Sequence, residues 1–210
     1  MKLPALVPYG NDQLVNIWVT GIEMCHGCNS QLLAHRGPGR FHPVSKVLYK
    51  EFLDLLDDDT RTRAEQSQMV MVDARGPSEA KPSSDQMVPC HVGTHPVILQ
   101  QVLYHRGSIE AIGHQLKTHW PMRVMGSGQG PIGILVYGKS GKHRSVAWAS
   151  LLNVFLLSLG YRVCLDLSTM NQEGTCDMAQ CPECQEPLTH SVMNQAIVGL
   201  SMVGHTDADQ

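Results

Sequence analysis

The sequence predicts an α/β protein with an open, mainly parallel sheet of about four strands and helices on its flanks. Short uncharged apolar runs alternate with longer amphipathic stretches, a pattern typical of β-α-β units. A glycine-rich turn at residues 138–145 separates one such apolar run from a long helical pattern. The composition fits a folded core, because 42% of the 210 residues are hydrophobic and 17% are charged.

The first third of the chain predicts two strands and one helix. Residues 14–22 are almost all apolar or β-branched and predict a strand, whereas glycine and proline interrupt residues 29–43 and indicate a loop. Residues 45–56 carry apolar side chains three and four positions apart, which predicts an amphipathic helix. Residues 57–67 are polar and are expected to form a connection without regular structure. The short apolar run at 69–72 predicts the second strand.

The rest of the chain continues the alternation. Residues 76–89 are rich in proline and serine and indicate a loop. Gly107 divides two helical patterns, and Gly160 is a stop signal at the end of a long one. The predicted elements are helices at 96–104 and 108–119, a strand at 132–137, a helix at 143–159, a strand at 162–167 and a final helix at 189–202.

The turn between the third strand and its helix predicts a phosphate-binding loop. A glycine-rich turn at this position directs backbone N–H groups outward at the positive end of the helix dipole, which favours anions. Arg144 lies in the first helical turn, where a cation is disfavoured unless an anion is bound. The candidate ligand-binding residues are Gly138, Lys139, Ser140, Gly141, Lys142, His143, Arg144 and Ser145.

Asp73 and Arg75 extend this candidate site. They follow the second strand, and the carboxyl ends of parallel strands meet at one edge of a sheet, where ligands bind in open α/β folds. We expect them to contact the part of a ligand that carries hydroxyl or amino groups, unless they form a structural pair at the strand end.

The same segment also matches a nucleotide-binding pattern. Gly133 to Ser140 satisfies G-x-x-x-x-G-K-[ST], in which Lys139 would contact phosphates and Ser140 would bind Mg²⁺. The four residues between the glycines are Ile-Leu-Val-Tyr, whose composition predicts a strand instead of a loop. A P-loop therefore remains the alternative, with Mg²⁺ as its cofactor.

The loop, read as G-x-x-G-K-H-R-S-V over residues 138–146, resembles the C-terminal domain of the RapZ family of RNase adapter proteins. Val72-Asp73-Ala74-Arg75 is similar to that family's strand-end D-V-R, and Trp120-Pro121-Met122 to its L-P-M. The resemblance covers roughly residues 68–168. It implies a domain that captures an amino-sugar phosphate and also binds regulatory RNA.

One departure from the family bears on catalysis. The family has a cysteine six residues before the arginine of the loop, and this chain has Gly138 there. Without a thiolate nucleophile, covalent phosphatase chemistry is not expected. We therefore expect a non-catalytic sensor or regulatory adapter whose partner is a phosphorylated small molecule.

The cysteines predict a structural zinc site. Cys25 with Cys28, and Cys181 with Cys184, are two C-x-x-C units, the spacing at which two thiolates bind one tetrahedral zinc. If the two ends of the chain meet, the two units would together form one four-cysteine site. Alternatively, Cys176, Cys181, Cys184 and His190 form a local Cys₃His set. Cys90-His91 together with His95 is a further possible group of ligands.

Charge and cysteine content limit the setting of the protein. The net charge of −3 argues against a general nucleic-acid binder, although an RNA or protein partner stays open. Seven cysteines favour a reducing, cytoplasmic location, with the nucleus as the alternative, and no apolar run is long enough to cross a membrane. We expect one compact unit with an N-terminal extension at 1–67, a RapZ-like α/β domain at 68–170 and a cysteine-rich extension at 171–210.

Overall fold

Four parallel strands form one sheet. The computed structural model of the chain describes residues 14–24, 43–75, 90–105, 107–124, 130–185 and 190–203. The strands are β1 (Leu14–Gly21), β2 (Gln68–Asp73), β3 (Ile132–Gly138) and β4 (Arg162–Asp166), in the spatial order β2-β3-β1-β4. The predicted α/β class, with an open parallel sheet of about four strands, is therefore confirmed.

Six α-helices flank the sheet in the described part of the chain. They are α1 (Pro43–Asp54), α2 (Asp58–Gln66), α3 (Pro96–Tyr104), α4 (Ser108–Val124), α5 (Arg144–Ser158) and α6 (His190–Val203). A short 3-10 turn, Ile22–Met24, follows β1. The loop predicted at 76–89 lies outside the described residues, as does nearly all of the loop predicted at 29–43.

The prediction of an irregular connection at 57–67 was wrong, because α2 occupies most of it. Asp57 caps this helix by accepting a 2.8 Å hydrogen bond from the amide of Thr60, and two further aspartates complement the helix dipole in its first turn. Only Thr60 and Ala64 of the helix are buried. With so little apolar surface, the sequence shows no stripe from which the helix could be predicted.

The two faces of the sheet carry separate cores. On one face, Trp18 of β1 and Leu135 of β3 pack with Phe52 of α1 and Ala64 of α2, and the Trp18 and Phe52 rings lie 6.0 Å apart. On the other face, side chains of all four strands pack against α3, α4, α5 and α6. The larger core therefore lies on the face that α5 covers.

This arrangement creates a topological switch point between β1 and β3. These strands are neighbours, and their last residues, Gly21 and Gly138, are paired in register. The chain leaves β1 for α1 on one face and leaves β3 for α5 on the other. Ligands of open α/β sheets bind where two adjacent connections diverge in this way.

Candidate functional site

The loop of residues 139–143 lies against the end of β1. Gly141 adopts φ +74°, a conformation that favours glycine. The loop packs closely against Gly21 of β1. A Cβ atom added to Gly21 would lie 2.5 Å from the Ser140 carbonyl carbon and 2.7 Å from the Gly141 nitrogen. The two glycines therefore allow the loop to cover the switch point.

Three other segments of the chain hold the loop through its carbonyl groups. The bonds run from the Glu23 amide to the Lys139 carbonyl at 3.0 Å, from the Gly93 amide to the Lys142 carbonyl at 3.0 Å, and from the Asn171 amide to the Gly141 carbonyl at 3.2 Å. Among the described residues, the amides of Ser140, Gly141 and Lys142 donate no hydrogen bond. The loop carbonyls of Lys139, Gly141 and Lys142 are thus bonded within the protein, whereas these three amides have no acceptor among the described residues.

Ser145 adds a hydroxyl group at the start of α5. Its side chain is only 1% exposed, and its Oγ atom has no hydrogen-bond partner within the described ranges. A Cβ atom on Gly138 would lie 3.1 Å from this Oγ, so the hydroxyl lies beside the end of β3. A buried polar group without a partner costs about 1–3 kcal/mol, and a ligand oxygen could remove that cost.

The cationic side chains of the loop contact other parts of the protein. Arg144 donates to the carbonyl of Arg75 at the end of β2, and the Lys142 ammonium donates to the carbonyl of Glu173. Lys139 is largely exposed and lies 3.6 Å from the Glu23 carboxylate, a surface pair of little energetic weight. The cationic side chains therefore lie around the edge of the loop. The groups at the centre of the candidate anion site are those of the loop backbone.

Asp73 and Arg75 form an internal pair. The Arg75 guanidinium donates to both Asp73 oxygens, at 2.6–3.1 Å, and lies 5.6 Å from the centre of the Tyr137 ring. Gln115 of α4 holds the Asp73 backbone by accepting from its amide at 2.6 Å and donating to its carbonyl at 3.1 Å. Burial raises the pKa of Tyr137, so its hydroxyl stays protonated.

The predicted ligand residues thus lie at one edge of the sheet, but in two groups. Asp73, Arg75 and Arg144 are connected at the carboxyl ends of β2 and β3. The loop amides and Ser145 lie at the end of β3 towards β1. Gln115 was not among the predicted site residues, since one glutamine within an amphipathic helix carries no signal of its contact with a distant strand.

A second site is formed by one histidine and three cysteines. The Nδ1 atom of His91 lies 3.6 Å from the Sγ atom of Cys176 and 3.5 Å from those of Cys181 and Cys184. In a tetrahedral zinc site, bonds of about 2.3 Å to sulfur and 2.05 Å to nitrogen place S and N about 3.6 Å apart. The four ligand atoms therefore have the spacing of a metal site, and they could hold an ion such as zinc.

The remaining ring nitrogen of His91 faces a carboxylate. Its Nε2 atom lies 3.5 Å from the Glu183 Oε2, which also lies 3.0 Å from the Nε2 atom of His95. The other nitrogen of His95 accepts a 3.2 Å hydrogen bond from the Val97 amide at the start of α3. A carboxylate behind a ligating histidine fixes the orientation of its ring and directs Nδ1 at the metal.

The three thiols have different electrostatic surroundings. Burial raises the pKa of Cys184 to about 12 and also raises the pKa of Cys176. The pKa of Cys181 is lowered to about 7, chiefly by a hydrogen bond with the Cys184 backbone. A divalent cation would stabilise all three as thiolates, which is the form that binds metal.

The cluster differs in one ligand from the predicted local set. Cys176, Cys181 and Cys184 come together, but His190 is exposed on α6 and lies outside this group of ligands. His91 takes the fourth place. In the sequence, His91 was marked only by its place next to Cys90. In the structure, the Cys176 amide donates a 2.6 Å hydrogen bond to the Cys90 carbonyl and so holds His91 beside the three cysteines.

The other predicted ligands, Cys25 and Cys28, lie outside the described residues.

No family model, curated protein or solved structure matches this chain. No helix in the described ranges is both long and apolar enough to cross a bilayer.

Proposed function

We propose that this chain binds a phosphorylated small molecule at the loop of residues 138–145 and acts as a sensor or regulatory adapter. One observation supports this most strongly. The loop carbonyls are bonded inward, which leaves the amides of Ser140, Gly141 and Lys142 and the buried hydroxyl of Ser145 at the start of α5. Amide donors just before a helix N-terminus, placed at a switch point, form a site suited to phosphate.

The surroundings of the loop favour binding over catalysis. Gly138 occupies the position where a phosphatase loop has its thiolate, so no covalent phosphoenzyme can form there. Nucleotide binding by a P-loop is the weaker alternative. Residues 134–137 of the Walker-like string lie within β3, where their backbone groups belong to the sheet and do not wrap phosphates.

The resemblance to the RapZ family suggests a ligand class. An amino-sugar phosphate would place its phosphate on the loop amides, with its sugar towards Asp73 and Arg75. The carboxylate of Asp73 already accepts hydrogen bonds from Arg75. A sugar hydroxyl would therefore have to donate to the carboxylate lone pairs that Arg75 leaves open. RNA is the less favoured partner, because the chain has a net charge of −3 and would repel the negatively charged RNA backbone.

Replacement of Ser145 by Ala tests this proposal with opposite effects on affinity and stability. The variant should bind inorganic phosphate about 5- to 10-fold more weakly, because one hydrogen bond of about 1 kcal/mol is lost. The ligand-free variant should be as stable as the wild type or more stable, because an unpartnered buried hydroxyl is removed. Equilibrium dialysis with labelled phosphate and urea denaturation measure the two quantities.

Ser150→Ala is the matched control for that variant. Ser150 lies in the same helix and is also buried, but its hydroxyl donates to the Val146 carbonyl at 2.9 Å. Its replacement should leave phosphate affinity unchanged. Wild-type protein that binds neither phosphate, hexosamine phosphate nor ATP would show the proposed function to be wrong, and preference for ATP with Mg²⁺ would support the P-loop instead.

We further propose that His91 and the three cysteines hold a structural zinc ion. One imidazole and three thiolates are a ligand set that zinc favours, and four protein ligands leave no open position for substrate. Three ligands come from the segment after β4 and one from the segment before α3, so the ion would join two parts of the chain that are about 85 residues apart.

Metal analysis of the purified chain should give one equivalent of zinc. Cys184→Ser should reduce the content to below about a tenth, because a buried hydroxyl cannot replace a thiolate on zinc. Cys164→Ser and His190→Ala are matched controls outside the cluster and should keep one equivalent. Substitution with cobalt should give sulfur-to-metal charge-transfer absorption in the wild type, and zinc retention by Cys184→Ser would contradict this assignment.

A further inference from the structure

The two proposed sites are physically connected. The segment that carries His91 continues to Gly93, whose amide donates to the Lys142 carbonyl of the loop at 3.0 Å. A Cβ atom on Gly93 would lie 2.1 Å from the His143 carbonyl oxygen and 2.5 Å from the Ala147 nitrogen. Two residues beyond a metal ligand, the backbone is therefore in direct contact with the loop and the first turn of α5.

The segment that carries the three cysteines contacts the loop from another direction. The Asn171 amide donates to the Gly141 carbonyl at 3.2 Å, and the Glu173 carbonyl accepts from the Lys142 side chain. Residues 171–185 and residues 90–95 are both irregular, without a helix or strand. Cys176 joins them through its amide, which donates to the Cys90 carbonyl at 2.6 Å.

We propose that occupancy of the metal site controls the affinity of the loop for its anion. The ion would fix two irregular segments against each other, and these same segments hold the carbonyls of Gly141 and Lys142. With those carbonyls fixed, the loop amides are preorganised for phosphate and less ordering is required when it binds. This inference rests on the proposed function and adds a regulator to the same site.

The coupling must be reciprocal. If the metal strengthens phosphate binding by some factor, phosphate strengthens metal binding by the same factor. Coupling between sites in proteins is typically about 5- to 150-fold, and the direct backbone contact at Gly93 leads us to expect at least about tenfold. Equilibrium dialysis of inorganic phosphate against the metal-loaded and the chelator-stripped chain measures this factor directly.

Gly93→Ala tests the connection without changing a ligand. The added methyl group would push residues 90–95 away from the loop, while His91 and the cysteines stay in the sequence. The loaded variant should keep one equivalent of zinc but bind phosphate at least about tenfold more weakly. Gly130→Ala is the control, because within the described ranges its added Cβ meets only the Gln66 carbonyl oxygen within 4 Å, at 3.3 Å.

The outcomes separate the two proposals. Weaker phosphate binding by both the stripped chain and Gly93→Ala supports the coupling. Equal affinity in metal-loaded and stripped chain overturns the coupling and leaves the phosphate site intact. Absence of phosphate binding in every form overturns the proposed function, and the coupling with it. If the stripped chain is unfolded by circular dichroism, the zinc affinity of the chain with and without phosphate decides instead, because the coupling is reciprocal, and an unchanged zinc affinity refutes it.

Discussion

Removal of the proposed zinc ion should lower the midpoint of thermal unfolding by about 10 °C. An ion present at about 1,000 times its dissociation constant stabilises the folded state by about 4 kcal/mol. For a domain of this size, each kcal/mol corresponds to roughly 2–4 °C. The loss should affect the segment of residues 171–185 first, since it has no helix or strand and is attached through its cysteines, a few other side-chain contacts and a few backbone hydrogen bonds.

Scanning calorimetry of the chain with and without a chelator measures this shift. Cys164→Ser, which keeps all four ligands, should show the full decrease when chelator is added. Cys184→Ser should begin at the lower midpoint and respond little to chelator, because its site is already lost. A change of less than about 2 °C in the wild type would mean that the ion, if bound, does not stabilise the fold.

The strands were predictable because each buried strand has a composition that no other element shares. The runs that became β1 and β3 consist almost entirely of apolar and β-branched residues, and parallel strands covered on both faces require this. Helix α2 was not predictable in the same way. It is a surface helix with few buried residues, and its evidence in the sequence was one capping aspartate.

The candidate sites were predictable to the extent that their residues are close in sequence. The anion loop is contiguous, and three of the four metal ligands lie within nine residues. His91 and Gln115 act across long separations, on Cys176 and Asp73 respectively. Such contacts follow from the order of the strands and the packing of α3 and α4, which local spacing does not encode.

The second prediction concerns Gly141, whose replacement by Ala should weaken phosphate binding by more than tenfold and destabilise the fold. At φ +74° a side chain costs about 1 kcal/mol. The added Cβ would also lie 2.8 Å from the Gly21 nitrogen and 3.1 Å from the Thr20 carbonyl carbon, both backbone atoms of the central strand β1. Because that strand is fixed by pairing on both sides, the loop must move, and overpacking adds about 1–3 kcal/mol.

Gly107→Ala separates the effect of contact from that of backbone conformation. Gly107 has φ +80°, but an added Cβ there meets no atom of the described residues within 4 Å. Urea denaturation should therefore give a loss of about 1 kcal/mol for Gly107→Ala and about 2–4 kcal/mol for Gly141→Ala. Phosphate affinity should fall by more than tenfold only in the second variant. Equal affinities in the two variants would show that the anion does not bind to the loop amides, since their directions depend on how Gly141 rests against β1.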